Sequence, residues 1–248
     1  LARYQAIDIC RVAAAALNNA FPETSLLCLP YVFRSVGHMR AVVDGEIGTR
    51  LLNVFEDRGL VGLAYYDAAP RSVYNVRRPV YEPADMRGLK IRAPQSDIFL
   101  DTVRAMGANP TPLTFGAVFS SLQTHLIDGA ENNWPSYQSS RQFEVARYWS
   151  DTRHLYSPDA LLISKASMDA LTPADRDLVR DVARRSVPLM RAEWDKREAD
   201  ARAAVIAAGT QVNEVDLAAF ARAVEPVNSK YTAGAGLKPL YEQITAAA

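Results

Sequence analysis

Apolar positions in the first third of the chain alternate between strand-like and helical spacing, which predicts strands joined by helices. Seven apolar residues between positions 39 and 55 form one helical stripe, and Gly59 is placed to end that helix. The elements predicted here are a strand over 6–12, an apolar run over 25–33, a helix over 35–58, and strands over 60–68 and 72–80.

The stretch 88–137 has the pattern strand, helix, strand, helix, strand. Ser96 is a suitable N-cap for the first of these helices, and Gly107 follows its last turn. The Asn-Pro-Thr-Pro segment at 109–112 predicts a rigid extended link, and Gly129 closes the second helix. This pattern predicts parallel strands with right-handed crossovers.

A helical pattern of unusual length runs from Thr172 to about Ala208, with Thr172 as N-cap and Pro173 in the first turn. Pro188 lies inside it and predicts a kink, because proline lacks the backbone donor. Such a helix in an otherwise α/β chain indicates a strut that crosses two lobes. A short strand near 210–215 and two helical segments complete the chain.

Composition excludes several functional classes. The 248 residues carry 28 basic and 28 acidic side chains, so the net charge is zero and neither a nucleic-acid nor a membrane-surface footprint is expected. The three histidines lack metal-ligand spacing, and we expect neither metal nor cofactor. No stretch is apolar for long enough to predict a membrane span. Cys10 and Cys28 lie in apolar runs and are interpreted as buried thiols, since spacing alone cannot establish a disulfide.

Polar side chains follow two of the predicted parallel strands. Arg92 ends one apolar run, and Glu131, Asn132 and Asn133 end another. Polar clusters at strand ends are how an open α/β sheet builds a small-molecule site, and arginine can grip a carboxylate with two parallel hydrogen bonds. The sequence therefore predicts half of a cleft for an organic anion. A solvated arginine and ordinary turn residues are the alternative interpretation.

Three other residues have both a functional and a structural interpretation. Arg71 can be an anion contact or a solvated side chain, while Phe115 and Trp134 can contact a ligand or simply pack in the core. Catalysis is weakly supported: the chain has no nucleophile elbow, phosphate loop or CxxC motif. A carboxylate pair of Asp128 and Glu131 remains an alternative.

Long motifs of the chain resemble a known family. The segments GLKIRAPQS, GANPTPLTFGAVFSSLQ and IDGAENNWPSY, with LPYVFRSVGHMRAVVDGEIGTRLL upstream and SPDALLISKASMDALTPADRDLV downstream, are similar to the solute-binding proteins of tripartite ATP-independent periplasmic (TRAP) transporters, the DctP-type receptors. The resemblance covers essentially the whole chain. It implies an α/β, two-lobe, periplasmic-binding-protein-like fold with a long helix spanning both lobes and ligand enclosed between them.

The resemblance also implies roles for individual residues. Arg92 is expected to pair with the ligand carboxylate, with Arg71 as a second anion contact and Asn132 as a hydrogen-bond donor nearby. Phe115 is expected to pack on the ligand. The remaining expected contacts are Gln95, Glu131, Asn133, Asn75 and Trp134.

The implied protein is a periplasmic receptor, not an enzyme, that passes its ligand to the small and large membrane subunits of a TRAP transporter. A sugar acid such as a hexuronate is the expected ligand, with a C4-dicarboxylate or 2-oxo acid as the alternative. An enzyme or a sensor domain on the same fold is the alternative from another class.

We expect lobe I to comprise 1–69 and 158–198, and lobe II 70–157 and 199–248, with hinges near 69–71 and 157–159. Compared with the family, one or two N-terminal βα units and an export signal are expected to be missing. Their absence would leave an exposed edge on the sheet of lobe I.

Overall fold

The computed structural model describes residues 2–234 and 236–247, which form a mixed α/β fold with two sheets. The strands are β1 (Ile9–Ala13), β2 (Leu60–Tyr66), β3 (Arg71–Asn75), β4 (Lys90–Ala93), β5 (Asn109–Pro112), β6 (Gly129–Asn132), β7 (Tyr148–Leu155), β8 (Asp159–Ser164) and β9 (Gln211–Asn213). The α-helices are α1 (Val36–Asp44), α2 (Glu46–Asn53), α3 (Asp97–Ala105), α4 (Val118–Gln123), α5 (Trp134–Ser139), α6 (Lys165–Ala170), α7 (Pro173–Ala207), α8 (Leu217–Thr232) and α9 (Leu237–Ala246). None of the described helices is both long enough and apolar enough to cross a membrane.

The described strands form two sheets, one in each lobe of the fold. The first has the strand order β1-β8-β2 and is antiparallel throughout. The second has the order β5-β4-β6-β3-β7-β9, with β4 parallel to both β5 and β6. The predicted parallel arrangement is therefore confirmed. The 109–112 link is itself a strand at the sheet edge, where proline does not interrupt a ladder.

Three segments join the lobes: the connection 67–70, the connection 156–158 and helix α7. Helix α7 packs on β2 in the first lobe and on α5 in the second, as predicted for a helix that spans both. It begins where the sequence indicates, because Thr172 Oγ1 accepts a hydrogen bond from the Asp175 amide. Pro188 lies within it.

The single helix predicted over 35–58 is wrong: two helices, α1 and α2, meet at Gly45, whose backbone is extended (φ −86°, ψ −166°). The two helices approach so closely that a Cβ on Gly48 would lie 1.9 Å from the Val43 carbonyl oxygen. A glycine at that crossing makes the sharp bend possible, whereas the apolar stripe alone cannot reveal it. Gly59 ends the segment in the left-handed conformation, as predicted.

The predicted lobe boundaries stay a prediction. Helix α9 packs against α8 and also contacts α2 of the first lobe. Arg34 donates to the carbonyl of Thr245 at 2.7 Å, and His38 Nε2 lies 2.9 Å from the carbonyl of Ile244. These contacts hold the exposed carbonyl end of α9, which fixes the chain on that side.

The two cysteines match expectation in part. Cys10 and Cys28 are free thiols, Cys28 fully buried and Cys10 half-buried. Strand β1 is an edge strand of the first sheet, and Ile9 on it is exposed.

Candidate functional site

Sheet register brings three of the predicted residues to one edge of the second sheet. Arg92 on β4 pairs in register with Ala130 on β6, so the carboxyl ends of these parallel strands lie side by side. Strand β3 is antiparallel to β6, with Ser72 opposite Asn132, so Arg71 at the start of β3 lies at this same edge. This edge faces the connections to the first lobe.

Arg92 is a buried cation that lacks a counter-ion among residues 2–234 and 236–247. Only 4% of it is exposed, and its Nε and Nη2 both donate to the Leu113 carbonyl, at 2.9 and 2.7 Å. Burial lowers the pKa of Arg92; nearby Glu131 partly offsets this, and Arg71 adds to it. The two hydrogen bonds to the Leu113 carbonyl fix the guanidinium plane and leave Nη1 with no partner in the described chain. A fixed, desolvated cation of this kind favours an incoming anion.

Arg71 is held by a buried ion pair with Glu131. Its Nε lies 2.6 Å from Oε2, its Nη2 lies 2.7 Å from Oε1, and Nη2 also donates to the Glu131 carbonyl at 2.9 Å. Burial by itself would lower the pKa of Arg71, but the attraction of Glu131 outweighs it and the pKa is raised. One edge of the guanidinium is therefore occupied, and Nη1 remains for another partner.

Glu131 is fully buried and stays ionised. Burial opposes its charged form, but Arg71 and His154 outweigh burial and lower the pKa of Glu131 to about 2. His154, also buried, places Nε2 at 3.6 Å from Glu131 Oε2 and Nδ1 at 2.9 Å from Thr152 Oγ1. Thr152 Oγ1 also accepts from the Val73 amide at 3.2 Å, so the His154 ring is held on its Nδ1 side while Nε2 faces Glu131.

Sequence reasoning missed His154 and Thr152 as parts of this site. They lie two residues apart on one face of β7, and the only signal was a single histidine in a strand-rich stretch. Strand pairing of β3 with β7, which a sequence pattern does not specify, brings them under Arg71 and Glu131.

Asn132 and two exposed residues complete the edge. Asn132 Oδ1 accepts from the Asn133 amide at 2.9 Å, and its Nδ2 has no hydrogen-bond partner in the part of the chain described. Gln95 is exposed in the turn after β4, and Phe115 is 46% exposed in the turn after β5. Since β4 and β5 are parallel, both side chains lie at the same edge as Arg92.

Asn133 and Trp134, two of the predicted ligand contacts, lie where their side chains stabilise the fold. Asn133 caps helix α5 by accepting from the Ser136 amide at 2.9 Å. Trp134 is buried in the core of the second lobe, stacked on Trp149 with 3.6 Å between ring centroids. The structural interpretation of Trp134 therefore fits its surroundings better than ligand contact.

Asn75 is not brought to this edge. It pairs with Gly129 at the opposite end of β3, and its Oδ1 accepts from the amides of Arg77 and Arg78 at 2.7 and 2.9 Å. The side chain organises that turn, so we leave Asn75 out of the proposed site.

Asp128 also lies at the far end, before β6 begins, where Oδ1 accepts from Arg77 and Oδ2 from the Lys90 amide, both at 2.9 Å. Burial would raise the pKa of Asp128, but these bonds outweigh it and the pKa is lowered. Asp128 and Glu131 bind different partners at opposite ends of β6, so they form no acid–base pair. Across the described residues, no group of three or more His, Cys, Asp or Glu could hold a metal ion.

Comparison with known proteins identifies the family of this chain. The family model described as bacterial extracellular solute-binding protein, family 7 (DctP), matches residues 3–234. A solute-binding protein of Chromohalobacter salexigens is 36% identical over 230 residues, which are 92% of this chain and 68% of that protein.

Two solved structures match nearly the whole chain. A TRAP periplasmic solute-binding protein of Bradyrhizobium sp. BTAi1, in complex with galacturonate, has a TM-score of 0.95 and 48% identity, covering 98% of this chain and 81% of that one. A TRAP solute-binding protein of Roseobacter denitrificans, with bound glucuronate, has a TM-score of 0.97 and 38% identity, covering 100% and 82%.

Proposed function

This chain belongs to family 7 of the bacterial extracellular solute-binding proteins, and from that premise we propose that it captures a hexuronate. The supporting observation is Arg92: buried, fixed in orientation and without a counter-ion among the described residues. Structural relatives with bound galacturonate and glucuronate support a hexuronate as the ligand of this site.

In the proposed contact, Arg92 binds the ligand carboxylate through two parallel hydrogen bonds. The Nε edge of Arg92 is bound to Leu113, so the carboxylate meets the Nη1 and Nη2 end of the guanidinium. Arg71 Nη1 and Asn132 Nδ2 are the two neighbouring donors. A carboxylate that leaves water needs several such donors, because desolvating it without them is costly.

Glu131 contributes through Arg71 rather than by touching the ligand, since both of its oxygens are bound there. An anionic ligand near an ionised glutamate would be repelled if that charge were free. The pair with Arg71 neutralises the charge while fixing the guanidinium, and His154 holds Glu131 from its other side. Gln95 and Phe115 provide the outer, partly exposed wall, with Phe115 packing on the sugar ring.

Closure of the lobes would complete binding. The proposed lobes are 1–69 with 158–198, and 70–157 with 199–248. Hinge motion at 67–70 and 156–158 would let the ligand stabilise the closed form through its higher affinity for it. In this role the protein works in the periplasm as a receptor without catalysis. It hands the hexuronate to the membrane subunits of a TRAP transporter.

Isothermal titration against hexuronates, C4-dicarboxylates and 2-oxo acids tests the proposal. We expect D-galacturonate or D-glucuronate to bind most tightly, and Arg92→Ala to weaken that binding by about 3–5 kcal/mol, the scale for breaking a buried ion pair. Arg141→Ala is the matched control, because Arg141 is exposed and pairs only with Glu144 three residues away. Tighter binding of succinate or a 2-oxo acid, or an unchanged dissociation constant in Arg92→Ala, would refute it.

A further inference from the structure

The first lobe also presents polar side chains toward the second. Strands β1 and β2 end, and β8 begins, at the end of the first sheet from which both connections leave. Asp159 opens the central strand, directly opposite Ala13 on one side and Tyr66 on the other. Asp159 therefore lies at the rim of the first lobe that faces the Arg92 edge.

Asp159 forms an ion pair with Arg11 that leaves polar atoms unused. Arg11 Nε donates to Asp159 Oδ2 at 2.6 Å, while Asp159 Oδ1 and both Nη atoms of Arg11 have no hydrogen-bond partner in the described chain. The side chains are 39% and 19% exposed. The pair thus offers one acceptor and adjacent donors to the space outside.

The same pair is electrostatically close to the second-lobe site. Burial raises the pKa of the Asp159 carboxyl, and the positive charges of Arg11 and Arg71 oppose that rise. Arg71 in turn influences the pKa of Arg92. Arg71 also opens β3 directly after the connection from Tyr66, the residue opposite Asp159, so the topology as well as the charge places Arg71 on the side of the second lobe that faces Asp159.

Aromatic rings hold the Arg11 guanidinium in place. The ring centroids of Tyr66 and Trp194 are each 5.5 Å from its central carbon. The Tyr66 hydroxyl is tied to Ser186 on α7 at 2.7 Å, and Trp194 Nε1 is buried without a hydrogen-bond partner among the residues described. Stacking fixes the plane of the cation and spares its free N–H groups for another partner.

We propose that the Arg11–Asp159 pair is the first-lobe half of the binding site and takes the hydroxyl groups of the sugar acid. One hydroxyl donates to Asp159 Oδ1, and the oxygen of its neighbour accepts from Arg11, a pairing that suits adjacent hydroxyls on one ring. This inference rests on the proposed hexuronate function, with the carboxylate at Arg92.

Such an arrangement gives the ligand a contact on each lobe, so hydroxyl binding and closure are coupled. It also predicts selection against dicarboxylates. A second carboxylate in place of the hydroxyls would meet Asp159, which accepts hydrogen bonds and repels a like charge.

The test is titration of the wild type, Arg11→Leu and Asp159→Asn with D-galacturonate, D-glucuronate and D-erythronate. D-erythronate has the carboxylate but is two carbons shorter than a hexuronate and has no ring, so we expect it to depend less on the first-lobe pair. We expect both variants to weaken hexuronate binding by about 10- to 100-fold, the effect of losing hydrogen bonds to charged groups, and to change D-erythronate binding less than about threefold.

Hexuronate affinities within threefold of the wild type, or equal losses for hexuronates and D-erythronate, would overturn the inference. Arg11→Lys is the control for misfolding, because lysine keeps the charge and a hydrogen-bond donor and should retain part of the hexuronate affinity. If Arg92→Ala abolishes hexuronate binding while Arg11→Leu does not, the proposed function stands and only this inference fails. If the wild type binds no hexuronate, the proposed function itself fails.

Discussion

Glu131→Gln is the substitution that most sharply tests the buried ion pair beneath the site. Glutamine keeps the shape and one acceptor, but it removes the charge opposite Arg71. Arg71 would then be a buried cation with a neutral partner, and His154 would lose the carboxylate that orients it. We expect a marked loss of stability and a smaller loss of ligand affinity.

The magnitude follows from the pKa of Glu131, which falls from an ordinary 4.5 to about 2. Each tenfold change in proton affinity corresponds to about 1.4 kcal/mol, so the ionised form stabilises the fold by about 3 kcal/mol at pH 7. Removing one partner of a buried ion pair generally lowers the free energy of unfolding by about 3–5 kcal/mol, which agrees in scale. Because this folded-state pKa is depressed, the stabilisation is present above pH 4.5 and is lost as the pH falls toward 2. Only about 1.5 kcal/mol should remain at pH 3.

Urea unfolding of the wild type and Glu131→Gln at pH 7 and pH 3 measures both values. Glu144→Gln is the matched control: its pair with Arg141 is on the surface, where solvent screens it, so this substitution should leave the stability nearly unchanged. A difference below 1 kcal/mol at pH 7, or a difference that does not shrink at pH 3, would contradict the reasoning.

Three further substitutions probe other parts of the account. Burial, and then the charges of Asp195 and Asp151, raise the pKa of Glu198 to about 7. Its ionisation therefore destabilises the fold increasingly as the pH rises from about 4.5 to 7. In urea unfolding, Glu198→Gln should be more stable than the wild type by about 1–2 kcal/mol at pH 8 but not at pH 4. Gly48→Ala should cost about 2–3 kcal/mol in the same assay, since its Cβ would overlap Val43; an unchanged midpoint would mean that α1 and α2 separate freely. Trp134→Ala should cost about 3–5 kcal/mol of stability while leaving hexuronate affinity within about threefold, and a selective loss of affinity would restore Trp134 to the site.

Local signals predicted much of the fold. Thr172 caps the long helix, Gly59 ends the first helical region, and the repeating pattern from 88 to 132 gives parallel strands as expected. The error over 35–58 arises where tertiary contacts decide, because the break at Gly45 depends on the close approach of α1 to α2.

For the site, sequence position predicted side chains at the carboxyl ends of parallel strands, and Arg92 and Asn132 are there. It cannot distinguish the two ends of β3, so the prediction groups Asn75 with Arg71 although they are the last and first residues of the same extended strand. Nor could it reveal Glu131 as the partner of Arg71, or Asp159 as the partner of Arg11, because antiparallel pairing joins distant segments.

A crystal structure of the protein with D-galacturonate would test the central claim most directly. The account predicts both carboxylate oxygens within about 2.7–3.2 Å of the Nη atoms of Arg92, with the Leu113 bond to its other edge preserved. A ligand bound elsewhere, or one whose carboxylate faces away from Arg92, would contradict it.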